Sequence, residues 1–210
     1  LEEKRIKTRF SYIIIERRIF LMKVLTILGS PRKNGQTAKT LDMLEESFIS
    51  QGHEVEKIWI SDYNIKGCLG CHACMAKNDR PGCIQKDDAL SIFDRMIAAD
   101  ALVYASPIYC YDFTSQFKTL IDRHWCLAVN FGSPDATSLI AGKKVALLIT
   151  CGGNEADNAD LAKQIFDRSI SNGMKCRLVG KYTVPYSGAP DFDGRARQTA
   201  EEIARVLIGG

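Results

Sequence analysis

The stretch KVLTILGSPRKNGQT, residues 23–37, sets the architecture. Its first part, Lys23–Leu28, is a short apolar run of strand character. Its second part, Gly29–Thr37, is a polar loop. From Gln36 onward Ala38, Leu41, Leu44, Phe48 and Ile49 recur at helix spacing, and Gly52 stops the segment. The result is a strand, a polar turn and a helix in immediate succession. Working outward, the same alternation repeats. Val55–Ile60 reads as a second strand. Asp87 or Asp88 opens a helix with an apolar stripe of Leu90, Phe93, Met96 and Ile97. A buried strand is predicted at Ala101–Ala105, a helix at Thr114–Ala128 and a strand at Lys143–Thr150. A helix over 155–171, a strand over 176–184 and a closing helix over 192–208 complete the chain.

Strands that alternate with helices imply a parallel sheet covered on both faces. The expected fold is therefore α/β, a flavodoxin-like three-layer sandwich with a five-stranded parallel sheet of order 2-1-3-4-5. In that order a ligand sits outside the carboxyl ends of the strands, at the switch between the first and third. Residues 23–210 are expected to form one domain, with a cysteine-rich insertion at 64–86.

Composition narrows the function classes. Residues 1–22 carry six Lys/Arg and three Asp/Glu, while residues 23–210 are balanced. The first 22 residues read as an appended or mis-started extension, with Met22 as a start; the rival reading is an extra arm that docks on the fold or on a partner subunit, its YIII run adding as an edge strand. A secretory segment is disfavoured because Glu16, Arg17 and Arg18 split its apolar stretch. No apolar run approaches the ~18 residues of a membrane-spanning helix. A net-neutral body without a basic stripe argues against nucleic acid as a partner. The expected compartment is the cytoplasm, where thiols stay reduced.

The sheet geometry directs attention to three loops. After the first strand, Gly29–Thr37 offers hydroxyls (Ser30, Thr37), amides (Asn34, Gln36), cations (Arg32, Lys33) and open backbone N–H groups at a helix N-terminus. It lacks both G-x-G-x-x-G and a Walker loop, yet it suits a phosphate monoester. After the third strand, Pro107, Ile108, Tyr109, Tyr111 and Phe113 would make a rigid wall for a flat ring. After the fourth, Thr150, Cys151, Gly152 and Gly153 allow close backbone approach to a ligand. Together these features suggest flavin mononucleotide (FMN).

Eight cysteines are present, and four of them, Cys68, Cys71, Cys74 and Cys83, fall within sixteen residues as C-x2-C-x2-C-x8-C. Four thiolates suffice for an iron–sulfur cluster, and zinc also accepts four, although two separated C-x2-C knuckles are absent. Free or redox-switching thiols are the third reading. His72 is a bystander in this scheme. Cys110, Cys126, Cys151 and Cys176 are isolated and read as small apolar core or loop residues. His53 is placed in a solvated turn and His124 in a helix. Asp122-Arg123 reads as a structural ion pair or a helix end.

The loops GSPRKNGQT, SPIYCYDFTSQFKTLIDR and TCGG resemble the NADPH-dependent FMN reductase superfamily. The cysteine run followed by Gln85-Lys86-Asp87-Asp88 resembles its iron–sulfur flavoprotein branch. The eight-residue interval Met75–Gly82 is longer than that branch usually has. The resemblance implies FMN held by Ser30 to Thr37, its ring against Pro107, Ile108 and Tyr109, with Thr150 to Gly153 on another side. It implies a [4Fe–4S] cluster on Cys68, Cys71, Cys74 and Cys83, and a homodimer or homotetramer. It also implies NAD(P)H as hydride donor, and an acceptor that is a quinone, a metal ion, oxygen, another flavin or a protein. Ferredoxin is the alternative donor. The hard chemistry is then the cofactor's, so no side chain is assigned as acid or base.

Overall fold

The computed structural model describes residues 21–76 and 79–209. The extension expected over 1–22 lies outside them except for its last two residues. Strand β1 (Lys23–Leu28) leads into helix α1 (Gln36–Ser50), followed by β2 (Glu54–Trp59). The cysteine segment comes next, then α2 (Ala89–Ala98) and β3 (Ala101–Tyr109). A short β4 (Asp112–Phe113) precedes α3 (Ser115–Arg123). Two small strands follow, β5 (Ala128–Val129) and β6 (Thr137–Ser138). The chain ends with β7 (Lys144–Thr150), α4 (Asp160–Phe166), β8 (Arg177–Val184) and α5 (Phe192–Gly209).

The five long strands pair in parallel in the order β2-β1-β3-β7-β8. This is the expected 2-1-3-4-5 arrangement. The sheet separates two cores because neighbouring side chains on a strand point to opposite faces. Leu25, Ile27, Leu102, Tyr104 and Leu147 meet Phe93 of α2, Phe117 of α3 and Phe166 of α4. Val24, Leu28, Val103 and Leu148 meet Leu41, Leu44 and Phe48 of α1 and Ile203 and Leu207 of α5. Each such fully buried side chain contributes about 1.5–3 kcal/mol, so both helix layers are held by apolar burial rather than by polar contacts.

Several expectations change in detail. β3 runs four residues past Ala105, because Pro107 lies beyond the last β1 rung (Leu28↔Ala105) and pairs only with β7. β4 adds antiparallel to β3 as a sixth strand, and β5–β6 form a separate two-stranded sheet. The helix expected over 114–128 ends at Arg123. A 3-10 turn, His124–Leu127, then delivers an extended Ala128 into β5. The helix expected over 155–171 starts at Asp160 and passes into a π-helix over Asp167–Asn172. His53 is buried rather than solvated: its Nδ1 accepts a hydrogen bond from Met22 N at 3.1 Å, so the segment preceding β1 covers it. Among the described residues no helix is long and apolar enough to cross a membrane.

Candidate functional site

The loop after β1 is pinned from several sides. Gly29 N donates to Ala105 O at 2.8 Å, and Gly29 O accepts from Thr114 Oγ1 at 2.5 Å. Ser30 is buried, and its Oγ accepts from Arg32 N at 3.2 Å, which tightens the turn. Trp59 Nε1 donates to Ser30 O at 2.6 Å. Gly35 precedes α1 without a side-chain cap, and the first turn of α1 contains no acidic residue. The helix therefore opens with unmet N–H groups and the positive end of its dipole, which is the arrangement that binds a phosphate.

The predicted residues of this loop divide. Ser30, Gln36 and Thr37 turn inward. Thr37 Oγ1 lies 2.7 Å from Thr150 Oγ1, both buried, and this pair joins the first loop to the end of β7. Gln36 Nε2 donates to Ser187 O at 2.9 Å, while its Oε1 is buried and receives no hydrogen bond. An acceptor left unmet in this way costs about 1–3 kcal/mol, and a ligand hydroxyl would satisfy it. Arg32 and Asn34 are at the surface of the turn. Lys33 turns away: its ammonium lies 4.4 Å from the Trp59 ring centroid and 3.1 Å from Asp62.

The loop after β3 is a hairpin. Ile108 pairs with Phe113 and Tyr109 with Asp112, so Cys110 and Tyr111 make the turn. Both have positive φ, 53° and 66°, as a two-residue hairpin demands, at some cost for residues other than Gly, Asn or Asp. The wall therefore differs from the expectation. Pro107 is buried, Ile108 is half-buried, Tyr109 is partly exposed and Tyr111 projects outward. Phe113 is drawn down against Phe117, ring centroids 4.8 Å apart.

At the end of β7, Cys151 N donates to Val184 O at 3.3 Å, and Ser187 N donates to Cys151 O at 2.9 Å. The Cys151 side chain is buried, and burial raises its thiol pKa. Gly152 is exposed, and a Cβ there would meet nothing within 4 Å. Gly153 has less room: a Cβ added there would come within 3.3 Å of Asn158 Nδ2. A cleft of about 530 Å³ lies between the hairpin and this turn, lined by Ile108, Cys110, Tyr111, Gly152, Gly153, Asn154, Asp157 and Asn158. The three loops are thus neighbours at the carboxyl edge of the sheet. A fourth, Tyr186-Ser187 after β8, joins them and was missed in the sequence. Its signal was the flanking Pro185, Gly188 and Pro190.

The cysteine segment sits at the other end of α3. Cys68 and Cys71 are exposed, while Cys74 and Cys83 are half-buried. Gly70 N points at Cys68 Sγ (3.4 Å), and Gln85 N at Cys83 Sγ (3.5 Å). Arg123 Nη2 donates to Cys83 Sγ at 3.2 Å. The buried thiol of Cys126 faces the side of the segment that carries Cys74 and Cys83. Burial, with those two sulfurs beside it, pushes its pKa up to about 12. Sulfurs met by N–H donors suit an anionic thiolate centre. Among the described residues, however, no three His, Cys, Asp or Glu side chains stand together as a site for a metal ion. The four sulfurs supply the chemistry of a cluster without forming a closed site.

Asp122 and Arg123 do not pair with each other. Asp122 accepts from Lys118 Nζ at 2.6 Å, one helical turn away. Arg123 reaches back to Asp87, with Nη1 2.7 Å from Oδ2 and Nη2 3.1 Å from Oδ1. Burial would raise the Asp87 carboxyl, but the Arg123 hydrogen bonds and the N–H groups of Lys66 and Ala89 outweigh it and hold it below its usual range. His124 is buried between Leu120 O (2.8 Å) and Tyr104 Oη (3.0 Å), and burial lowers its pKa to about 4. These positions make it a packing residue of the core.

Comparison with known proteins agrees with this geometry. The model of the family described as NADPH-dependent FMN reductase matches residues 22–191. An iron–sulfur flavoprotein of Archaeoglobus fulgidus is 43% identical over 102 residues, 49% of this chain and 45% of that protein. The chain thus spans about half the length of the first curated relatives it matches. An iron–sulfur flavoprotein of Methanocaldococcus jannaschii is 34% identical over 154 residues, 73% of each chain. The solved NAD(P)H:quinone oxidoreductase of Methanothermobacter marburgensis superposes with a TM-score of 0.68 at 18% identity. The match covers 87% of this chain and 99% of that one, which supports the fold.

Proposed function

We propose that this chain, which belongs to the NADPH-dependent FMN reductase family and resembles its iron–sulfur flavoproteins, is an FMN-dependent oxidoreductase that takes electrons from NAD(P)H. The observation that carries this reading is the meeting of the uncapped start of α1, the β3–β4 hairpin and the Gly152-Gly153 turn at one edge of the sheet. Residues 23–210 act as one FMN-binding domain in this reading.

FMN, when bound, would supply the hydride and electron chemistry. The chain's own residues bind and orient. The N–H groups at the start of α1 and Asn34 would hold the phosphate, and Ser30 and Thr37, engaged with Arg32 N and Thr150, would have to turn toward it to add their hydroxyls. The unmet Gln36 Oε1 would accept from a hydroxyl of the bound cofactor. Pro107, Ile108 and Tyr109 would border the ring on one side and Thr150 to Gly153 on another, where a Cβ at Gly152 would meet nothing within 4 Å. Arg32 supplies charge at the rim. Lys33 is engaged by Trp59 and Asp62 and would have to leave them to contribute.

Cys68, Cys71, Cys74 and Cys83 are the residues that would hold a [4Fe–4S] cluster. The names of the relatives and the N–H donors on Cys68 and Cys83 support that reading. A quinone or a protein such as ferredoxin is the exchange partner in this scheme.

The test is direct. Chain purified without air is expected to release FMN on denaturation, and its flavin band to bleach on anaerobic mixing with NADPH or NADH. A band that neither nucleotide bleaches, but reduced ferredoxin does, would move the function to electron carriage without nicotinamide turnover. A chain that binds no flavin would overturn the proposal.

A further inference from the structure

The geometry points to Arg123 as a positioning residue of the cysteine site, one that seats the Cys83 sulfur and tunes a redox centre built on it. This rests on the reading that the four cysteines carry a redox centre. Arg123 is 1% exposed, and the Asp87 side chain that pairs with it is 0% exposed. Burying two charges costs several kcal/mol per ion, and apolar residues of like volume do as well or better for stability. Stability alone is therefore a weak reason for this pair, and its hydrogen bonds show what else it does.

The guanidinium serves both ends of the cysteine segment at once. Nη1 donates to Lys66 O at 2.7 Å, just before Cys68, and to Asp87 Oδ2 at 2.7 Å, just after Cys83. Nη2 donates to Asp87 Oδ1 at 3.1 Å and to Cys83 Sγ at 3.2 Å. Asp87 pairs with the positive charge, and Cys83 receives from the same guanidinium both that charge and a directed N–H donor on its sulfur. Nε–H is buried as well and has no partner among the described residues. A planar fork is needed to span carbonyl, carboxylate and sulfur together, and a lysine ammonium cannot reproduce it. Hydrogen bonds to cysteine sulfur favour the more negatively charged, reduced state of a thiolate-bound centre and raise its potential.

The placement also links the two sites. α3 is nine residues long, about 14 Å. Its cap, Thr114, holds Gly29 O of the first loop, and its last residue, Arg123, holds Cys83. One rigid element thus sets the position of the cysteine site relative to the proposed flavin cleft.

The experiment compares the full chain with Arg123→Lys and Arg123→Met, all purified without air. Iron and acid-labile sulfide are assayed, and the centre is titrated with dithionite and followed by electron paramagnetic resonance. At a fixed potential, Arg123→Met is expected to lower the reduced-to-oxidised ratio about tenfold, about 59 mV for a one-electron couple. Arg123→Lys, which keeps the charge but loses the fork, is expected to lower it about threefold. If Arg123→Met fails to fold, Arg123→Lys decides, and a midpoint equal to that of the parent overturns the proposal.

A parent chain with neither iron nor sulfide would refute the cluster reading separately. The role of Arg123 is then decided by titrating cadmium(II) into the reduced, metal-free chain and following thiolate–cadmium absorption. About tenfold weaker binding in Arg123→Met supports the role, and equal affinity in all three chains overturns it.

Discussion

Replacing Gly29 by Ala tests whether the first loop is set by the helix that packs beneath it. A Cβ at Gly29 would come within 2.7 Å of both Cβ and Cδ2 of Phe117 and within 2.9 Å of its Cγ. Carbon atoms sit best at about 3.5–4.0 Å, so the overlap is roughly 1 Å. Phe117 is fully buried, and its Cβ is fixed to the backbone of α3, so rotating the ring gives no complete relief. Either the loop or α3 must shift. That shift strains the bond from Thr114 Oγ1 to Gly29 O and the one from Gly29 N to Ala105 O.

Overpacking of this kind costs about 1–3 kcal/mol, and loss of one buried hydrogen bond adds about 1 kcal/mol. For a chain of this size each kcal/mol lowers Tm by about 2–4 °C, so Gly29→Ala should lower it by about 4–16 °C. The assay is thermal unfolding of flavin-free protein by circular dichroism, with a urea curve to check that the slope is unchanged. FMN affinity, measured on folded protein at low temperature, should fall as well. A Tm within about 2 °C of the parent, with unchanged flavin affinity, would refute the close packing of Gly29 on Phe117 and its role in shaping the loop.

Gly152→Ala makes the opposite case. The added methyl meets nothing within 4 Å, so stability should stay within about 0.5 kcal/mol while FMN affinity drops, and an unchanged Kd would remove Gly152 from the site. Thr37→Val leaves the buried Thr150 hydroxyl without its partner and should cost about 1–3 kcal/mol in urea unfolding, whereas Thr37→Ser should recover most of that loss. His124, lowered by burial to about 4, takes up its proton in the unfolded chain first as the pH falls. Its contribution is therefore complete above about pH 6.5 and is lost toward pH 4 at about 1.4 kcal/mol per unit, and His124→Gln should flatten that part of the stability curve. Identical slopes in parent and variant between pH 6.5 and 4 would rule His124 out as the cause.

Much of the candidate site could be read locally. Ser30, Gln36, Thr37, Thr150 and Gly152 lie where strand ends and loop chemistry put them. The hairpin at Cys110-Tyr111 could not, because neither residue is a usual choice for positive φ and Pro107 resembles a loop residue until its one-sided pairing is seen. The position of Lys33 could not be read for a related reason. Its neighbours in sequence suggest a phosphate, but Trp59 and Asp62, which engage it, arrive from β2 and the turn that follows.

The order of strands and helices follows from periodicity in short windows, since each element must present one apolar face whatever its neighbours are. That is why the alternation that begins with the run from Lys23 to Thr37 and repeats along the chain announces a parallel α/β sheet with polar loops at its carboxyl edge. Folding alone decided which distant groups meet. Arg123 finds Asp87, Lys66 and Cys83 because α3 is laid across the sheet beside the stems of the cysteine segment. Cys126 comes to face Cys74 and Cys83 for the same reason. The chain after β8 brings Ser187 O to the Gln36 amide nitrogen, and the amide oxygen stays unmet. Such contacts depend on how whole layers pack, a long-range outcome of burial that no local pattern encodes.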